Sequence, residues 1–212
     1  MSLEATHIRF ALDLKDILGV KNISEYLSGT VYPDSRYVSG ISREATHSHE
    51  KEQKMKQSMD DFEKGWYVHL LCDKIFNTVR TKTYSFLFEG VSKETHLKEW
   101  WHRSSALKVI QDIYNTSNID GQSLVTLLVS DRTPSDEPVE SIKRYHKAII
   151  DLYQQIPTIP TSYRALWFVF NIQETSMDAI ISYVDEYLNI DTVKNTQGQL
   201  YQEALRLAKK EI

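Results

Sequence analysis

The sequence predicts an all-α fold, a single multi-helix domain over residues 1–212, and three observations carry that prediction. Apolar residues recur at helical spacing through most of the chain. Seven Gly and five Pro are about half the usual share, so turns are few and helices long. Strand patterns are almost absent, and only the short β-branched run at 124–129 is ambiguous.

The elements follow in order. Thr6 is placed to cap a first helix in which Ile8, Ala11, Leu12, Leu14, Ile17 and Leu18 keep a helical period, with Gly19 as its stop. A short helix is expected at 24–28. From 29 to 46 the chain reads GTVYPDSRYVSGISREAT, whose glycines, Pro33 and hydroxyl residues predict a long irregular loop, and loops of that length usually have a job. Residues 49–64 are charged and rich in Met and Gln, a solvated helix leading onward. Residues 62–79 are apolar on more than one face, which marks a buried central helix. Further helices are expected at 93–114, 121–129, 138–155, 162–172, 177–188 and 192–210, and the acids of Ser135-Asp136-Glu137-Pro138 with a first-turn proline suit a helix start. The division expected is a site within 1–80 and completion of the helical bundle by 81–212.

Bulk composition excludes several functions. A net charge of −4 gives no electrostatic footprint for duplex nucleic acid, which needs a basic stripe to release counterions. No stretch approaches 18 apolar residues, so no membrane span is expected. The start of the chain lacks the basic segment and continuous apolar run of a signal peptide, and Cys72 is the single cysteine; both lead to the expectation of a cytoplasmic protein. A chain of this length buries well over half of its unfolded surface, so a metal is not needed merely to hold it together.

Four local features carry chemistry. On the central helix Phe62, Trp66, His69, Asp73 and Phe76 follow at steps of four and three and share a face. A carboxylate in such a stripe must be paired, protonated or metal-bound; the bland alternative is a His–Asp hydrogen bond in the core. Thr46-His47-Ser48-His49 clusters two imidazoles, either metal ligands or solvated surface groups. Tyr32-Pro33-Asp34 sets an acid after a proline, as an inward carboxylate or a turn residue. His7 sits beside the first cap. Trp100-Trp101 offers a binding surface or core filling, with one of the two rings expected inside.

Thr6-His7, Gly29-Thr-Val-Tyr-Pro-Asp34, Thr46-His47 and Gly65-Trp-Tyr-Val-His69-Leu-Leu-Cys-Asp73 come in the order and rough spacing of the zinc-dependent phospholipase C family, which the chain resembles. The same arrangement occurs in the amino-terminal domain of glycosylphosphatidylinositol-specific phospholipase D, and it is related to the zinc single-strand nucleases. The resemblance implies an all-helical architecture of that kind and ligation of Zn²⁺, or another divalent ion such as Mn²⁺, by His7, Asp34, His47, His69 and Asp73. Departures limit what carries over. His7 follows six residues rather than a processed amino terminus, Asn77 stands where the phospholipase D version has a histidine, and no later His-x-x-x-Glu pair is present. The remaining ligands suit one metal, or two. Three imidazoles and two carboxylates leave room for an activated water on zinc; Asp34, where not a ligand, is the candidate base, and Arg36 and Arg43 are candidates to bind a phosphate. The expectation is slow, metal-dependent hydrolysis of a small phosphoester.

Two other metal chemistries compete. A His-Asp phosphohydrolase needs a contiguous His-Asp pair, which the chain lacks, and a di-iron carboxylate bundle uses Glu-x-x-His, matched formally at Glu4–His7, Glu44–His47 and Glu99–His102. A non-catalytic helical domain keeping part of the site is the alternative of a different class.

Overall fold

The computed structural model describes residues 3–47, 60–120 and 127–212. The described residues are predominantly helical and contain no strand, as the sequence predicts. None of their helices is long and apolar enough to cross a membrane. His49, most of the charged stretch at 49–64, and most of the expected helix at 121–129 lie outside the described residues; Leu128 and Val129 at its end are not helical.

The long helix α5 (Asp61–Thr83) is the axis of the fold. Asp60 caps it by accepting from the Glu63 amide at 2.9 Å, and Asp61 and Glu63 place negative charge in its first turn, which together start a helix at this point. Its buried residues occur on nearly every side, including Phe62, Trp66, Val68, Leu71, Ile75 and Phe76. Helix α2 (Ile23–Val31), capped by Asn22, packs along it. Two glycines permit the approach: a Cβ on Gly65 would stand 1.9 Å from the Tyr26 carbonyl oxygen, and one on Gly29 would stand 2.0 Å from that of Phe62. Each backbone thus fills the space a side chain would take on the other helix.

Around this pair, α1 (Glu4–Leu14) packs against α2, α5 and α6 (Leu97–Thr116), while α11 (Gln197–Glu211) covers α5. Helix α9 (Glu174–Leu188) covers α6, and α7 (Val139–Tyr153) holds α8 (Arg164–Val169). Helix α10 (Asp191–Asn195) joins α9 to α11.

Two expectations are corrected. Thr6 does not cap α1: Leu3 occupies that position, and the Thr6 amide is instead satisfied by the Asp112 carboxylate of α6 at 2.8 Å. A long-range acid therefore does what a local hydroxyl was expected to do. Residues 29–46 are not an irregular loop. They complete α2, form a 3₁₀ turn over Tyr32–Ser35 with Pro33 in its first turn, and continue as α3 (Arg36–Ser39) and α4 (Arg43–His47). Proline suits a helix start because its missing N–H would be unpaired there anyway. Expected boundaries elsewhere shift by a few residues, with α6 starting at Leu97 and Pro138 standing just before α7.

Candidate metal centre

Four elements converge on one point. His69 and Asp73 lie one turn apart on α5, Asp34 comes from the 3₁₀ turn, His47 ends α4, and His7 sits in the first turns of α1. All five side chains predicted as ligands are brought together. Two overlapping sets of donor atoms, His7–Asp34–His69 and His47–His69–Asp73, each lie within 4.8 Å of one another.

The Nε2 atoms of His47 and His69 face each other at 3.1 Å. His47 Nε2 is 3.7 Å from Asp34 Oδ1 and 3.7 Å from Asp73 Oδ2, and His69 Nε2 is 3.8 Å from Asp73 Oδ2. Two imidazole nitrogens on a tetrahedral zinc, with bonds of about 2.0–2.1 Å, stand roughly 3.3 Å apart. The observed spacing is close to that value.

The outer nitrogens are held by hydrogen bonds that fix the rings. His69 Nδ1 lies 2.9 Å from the Thr30 carbonyl oxygen, so this nitrogen carries the proton and Nε2 is left with the lone pair. His47 Nδ1 lies 2.8 Å from Thr46 Oγ1. Metal-binding imidazoles are oriented by partners of this type. Thr46 is in turn fixed by Trp66, whose indole N–H donates to the Thr46 carbonyl at 2.8 Å. Trp66 and Phe62 are both buried, and Tyr32 lies against both rings, so the helix face that carries His69 also carries an aromatic wall.

His7 stacks on His69 with ring centroids 3.9 Å apart and planes 10° from parallel, and its Nε2 is 3.4 Å from Asp73 Oδ1. Among the described residues, neither ring nitrogen of His7 makes a well-formed hydrogen bond although the residue is fully buried, and the same holds for Asp34 Oδ1. Buried polar atoms are almost always paired, so such a set needs an explanation. A cation coordinated by these atoms supplies one.

For His47 and His69 the electrostatics agree with this, whereas burial acts downward on His7 but Cys72 and Asp73 raise it well above its ordinary range. Burial pushes the His47 imidazole down to about 3, and burial with the neighbouring His7 holds His69 well below its ordinary range. Both rings are therefore neutral donors at neutral pH. Burial, reinforced by Asp73, pushes the Asp34 carboxyl up to about 6. Burial also acts upward on Asp73, but the positive charge around it, that of His7 included, draws it well below the usual carboxylate range.

The site opens into a cavity of about 510 Å³. Asp34, His47 and Asp73 line it, as do Arg36 and Arg43, the two arginines expected to meet a phosphate. Lys74, Lys93 and Lys108 add positive charge, while Trp167, Phe170 and Ile180 form an apolar side. Trp100 and Trp101 both line this cavity and are half-buried, so neither is the fully buried core ring expected from the sequence.

Three buried acids or bases escaped the sequence reading. Asp112 accepts from the Thr6 amide and hydroxyl on one oxygen, and from the Tyr153 and Tyr163 hydroxyls at 2.6 and 2.8 Å on the other. This satisfied network ties α1 to α6 and α7 one residue from His7. Burial pushes the Glu4 carboxyl up to about 8, and its Oε1 accepts from the Tyr145 hydroxyl at 3.2 Å. Arg80 is 3% exposed. The available signal was an acid or base on the apolar side of a periodic helix, which is visible for Asp112 between Ile110 and Ile113.

Compared with protein-family models, curated proteins and solved structures, the chain matches none.

Proposed function

We propose that the chain is a metal-dependent phosphoesterase of a zinc phospholipase C-like kind, with His7, Asp34, His47, His69 and Asp73 holding Zn²⁺ or a similar divalent ion such as Mn²⁺. The observation that carries the reading is the opposed Nε2 pair of His47 and His69, backed on its outer nitrogens by Thr46 and Thr30 and opening on a cavity with several cations. A divalent ion in this donor set supplies an activated water at neutral pH and Lewis acidity toward a phosphoryl oxygen.

The chain's own residues have separable work. Thr30 keeps the His69 imidazole in the tautomer that offers Nε2, and Thr46 holds the His47 ring at its outer nitrogen. Asp34, buried and held near 6, exchanges a proton close to neutral pH and serves as base wherever its free oxygen is not coordinated. Arg36 and Arg43 line the cavity on the same side and neutralise non-bridging oxygens of a phosphoester, an interaction that strengthens as charge develops. Trp66 and Phe62 exclude water from behind the cluster.

The test is hydrolysis of bis(para-nitrophenyl) phosphate by the purified chain with added Zn²⁺ or Mn²⁺. This substrate has a good leaving group and needs no acid to protonate it. The expected result is slow, metal-dependent turnover, abolished in His69→Ala and Asp73→Asn. Metal binding with a rate unchanged by both variants would identify a helical metal-binding domain without this activity.

A further inference from the structure

Arg80 lies seven residues after Asp73, so it returns to nearly the same face of α5 two turns and roughly 10 Å further along. It is buried, yet among the described residues neither terminal nitrogen of its guanidinium has a hydrogen-bond partner. Arg80 lines a second cavity of about 130 Å³ together with Ser85, Trp100 and Ser104. Trp100 and Ser104 also line the large cavity in front of the metal centre, so the two spaces share a wall. One turn beyond Ser104 on α6, Lys108 lines the large cavity and has no ion pair or hydrogen bond among the described residues.

Two cations thus lie on adjoining cavities with no carboxylate bonded to either among the described residues. Their mutual repulsion is felt at Lys108, which burial and Arg80 together push down to about 8. A buried, uncompensated arginine costs several kcal/mol and is rarely kept without a counter-charge. The missing counter-charge is an anion.

We propose that Arg80, Ser104 and Lys108 form an anion subsite about two helical turns from the His/Asp cluster, and that the ligand of this pocket carries a second phosphate besides the one presented to the cluster. The guanidinium gives the second phosphate a bidentate partner, Ser104 adds a hydroxyl, and Lys108 meets the charge between the two sites. The aromatic Trp100 wall covers the connecting segment. Only the role of the first phosphate rests on the phosphoesterase reading.

Calorimetric titration of the full chain as purified, with hexanediol bisphosphate against hexyl phosphate, tests the subsite. The bisphosphate is expected to bind at least about tenfold more tightly, a difference of about 1.4 kcal/mol. In Arg80→Met that ratio falls to near one while hexyl phosphate binds as before. The ligand-free variant melts a few degrees higher, because an uncompensated buried charge is gone. Lys108→Met lowers the same ratio from a half-buried position, and serves where Arg80→Met does not fold. An equal affinity for both ligands in the wild-type chain, or a ratio untouched by both substitutions, overturns the proposal. Inorganic phosphate binding as tightly as the bisphosphate also overturns it, since the second phosphate is then not part of a larger ligand. Zinc content of the same samples separates the two readings: a ratio that depends on Arg80 in a chain that binds no zinc keeps the subsite and removes the phosphoesterase.

Discussion

Gly65→Ala isolates the contact that builds the site without touching a ligand. The new Cβ would meet the Tyr26 carbonyl oxygen at 1.9 Å and the Thr30 amide nitrogen at 2.7 Å, both backbone atoms that cannot rotate away. Ordinary contact begins near 3.4 Å, so α2 and α5 must separate by roughly 1.5 Å. Overpacking of this kind costs about 1–3 kcal/mol, against which alanine returns about 0.5–1 kcal/mol of helix propensity. A net loss of about 1 kcal/mol is expected. The same displacement stretches the 2.9 Å contact between His69 Nδ1 and the Thr30 carbonyl beyond hydrogen-bonding range. Loss of an outer partner of a ligating imidazole lowers metal affinity by about 10–100-fold. Urea unfolding gives the first quantity and zinc titration against a competing chelator the second. Unchanged stability together with unchanged zinc affinity would refute the idea that the glycine contact positions the metal centre.

Three further outcomes follow from charged groups in and around the site. Glu4 holds its proton in the fold up to about 8, whereas the unfolded chain releases it near 4.5. Its contribution to stability is therefore complete below about 4.5 and is lost as pH rises through 8, and Glu4→Gln should flatten that part of the Tm-versus-pH profile; an unaltered profile contradicts the assignment. Asp112→Asn replaces an oxygen by a donor facing donors, so a loss of about 3 kcal/mol is expected in urea unfolding, and a loss below about 0.5 kcal/mol would show the network to be dispensable. Arg36→Met with Arg43→Met should raise KM for phosphodiester hydrolysis at least about tenfold while zinc content stays at the wild-type level; an unchanged KM removes these arginines from phosphate binding.

The candidate metal centre was legible because its residues come in short local patterns whose order resembles that of a known family. His69 and Asp73 are one helical turn apart, and Tyr32-Pro33-Asp34 and Thr46-His47 each place a donor beside residues that fix its backbone. Gly29 and Gly65 were part of the same motifs, but their purpose is a helix contact that only the paired backbones show. Residues 29–46 were misread for a related reason: α3 and α4 span only Arg36–Ser39 and Arg43–His47, too few residues to display a helical period among glycines and serines. Thr6 was misread because its partner, Asp112, is 106 residues away. Arg80 and Lys108 look like ordinary basic residues of helices, and nothing in their neighbours' spacing announces that they line two adjoining cavities that share Trp100 and Ser104.

The central claim is that one cluster of imidazoles and carboxylates holds a divalent ion, and His69 belongs to both donor sets in that cluster. Elemental analysis after dialysis against a zinc buffer tests it most directly. The account predicts zinc at one or two ions per wild-type chain and essentially none in a folded His69→Ala variant; a wild-type chain without zinc, or a His69→Ala variant that retains the wild-type amount, would contradict it.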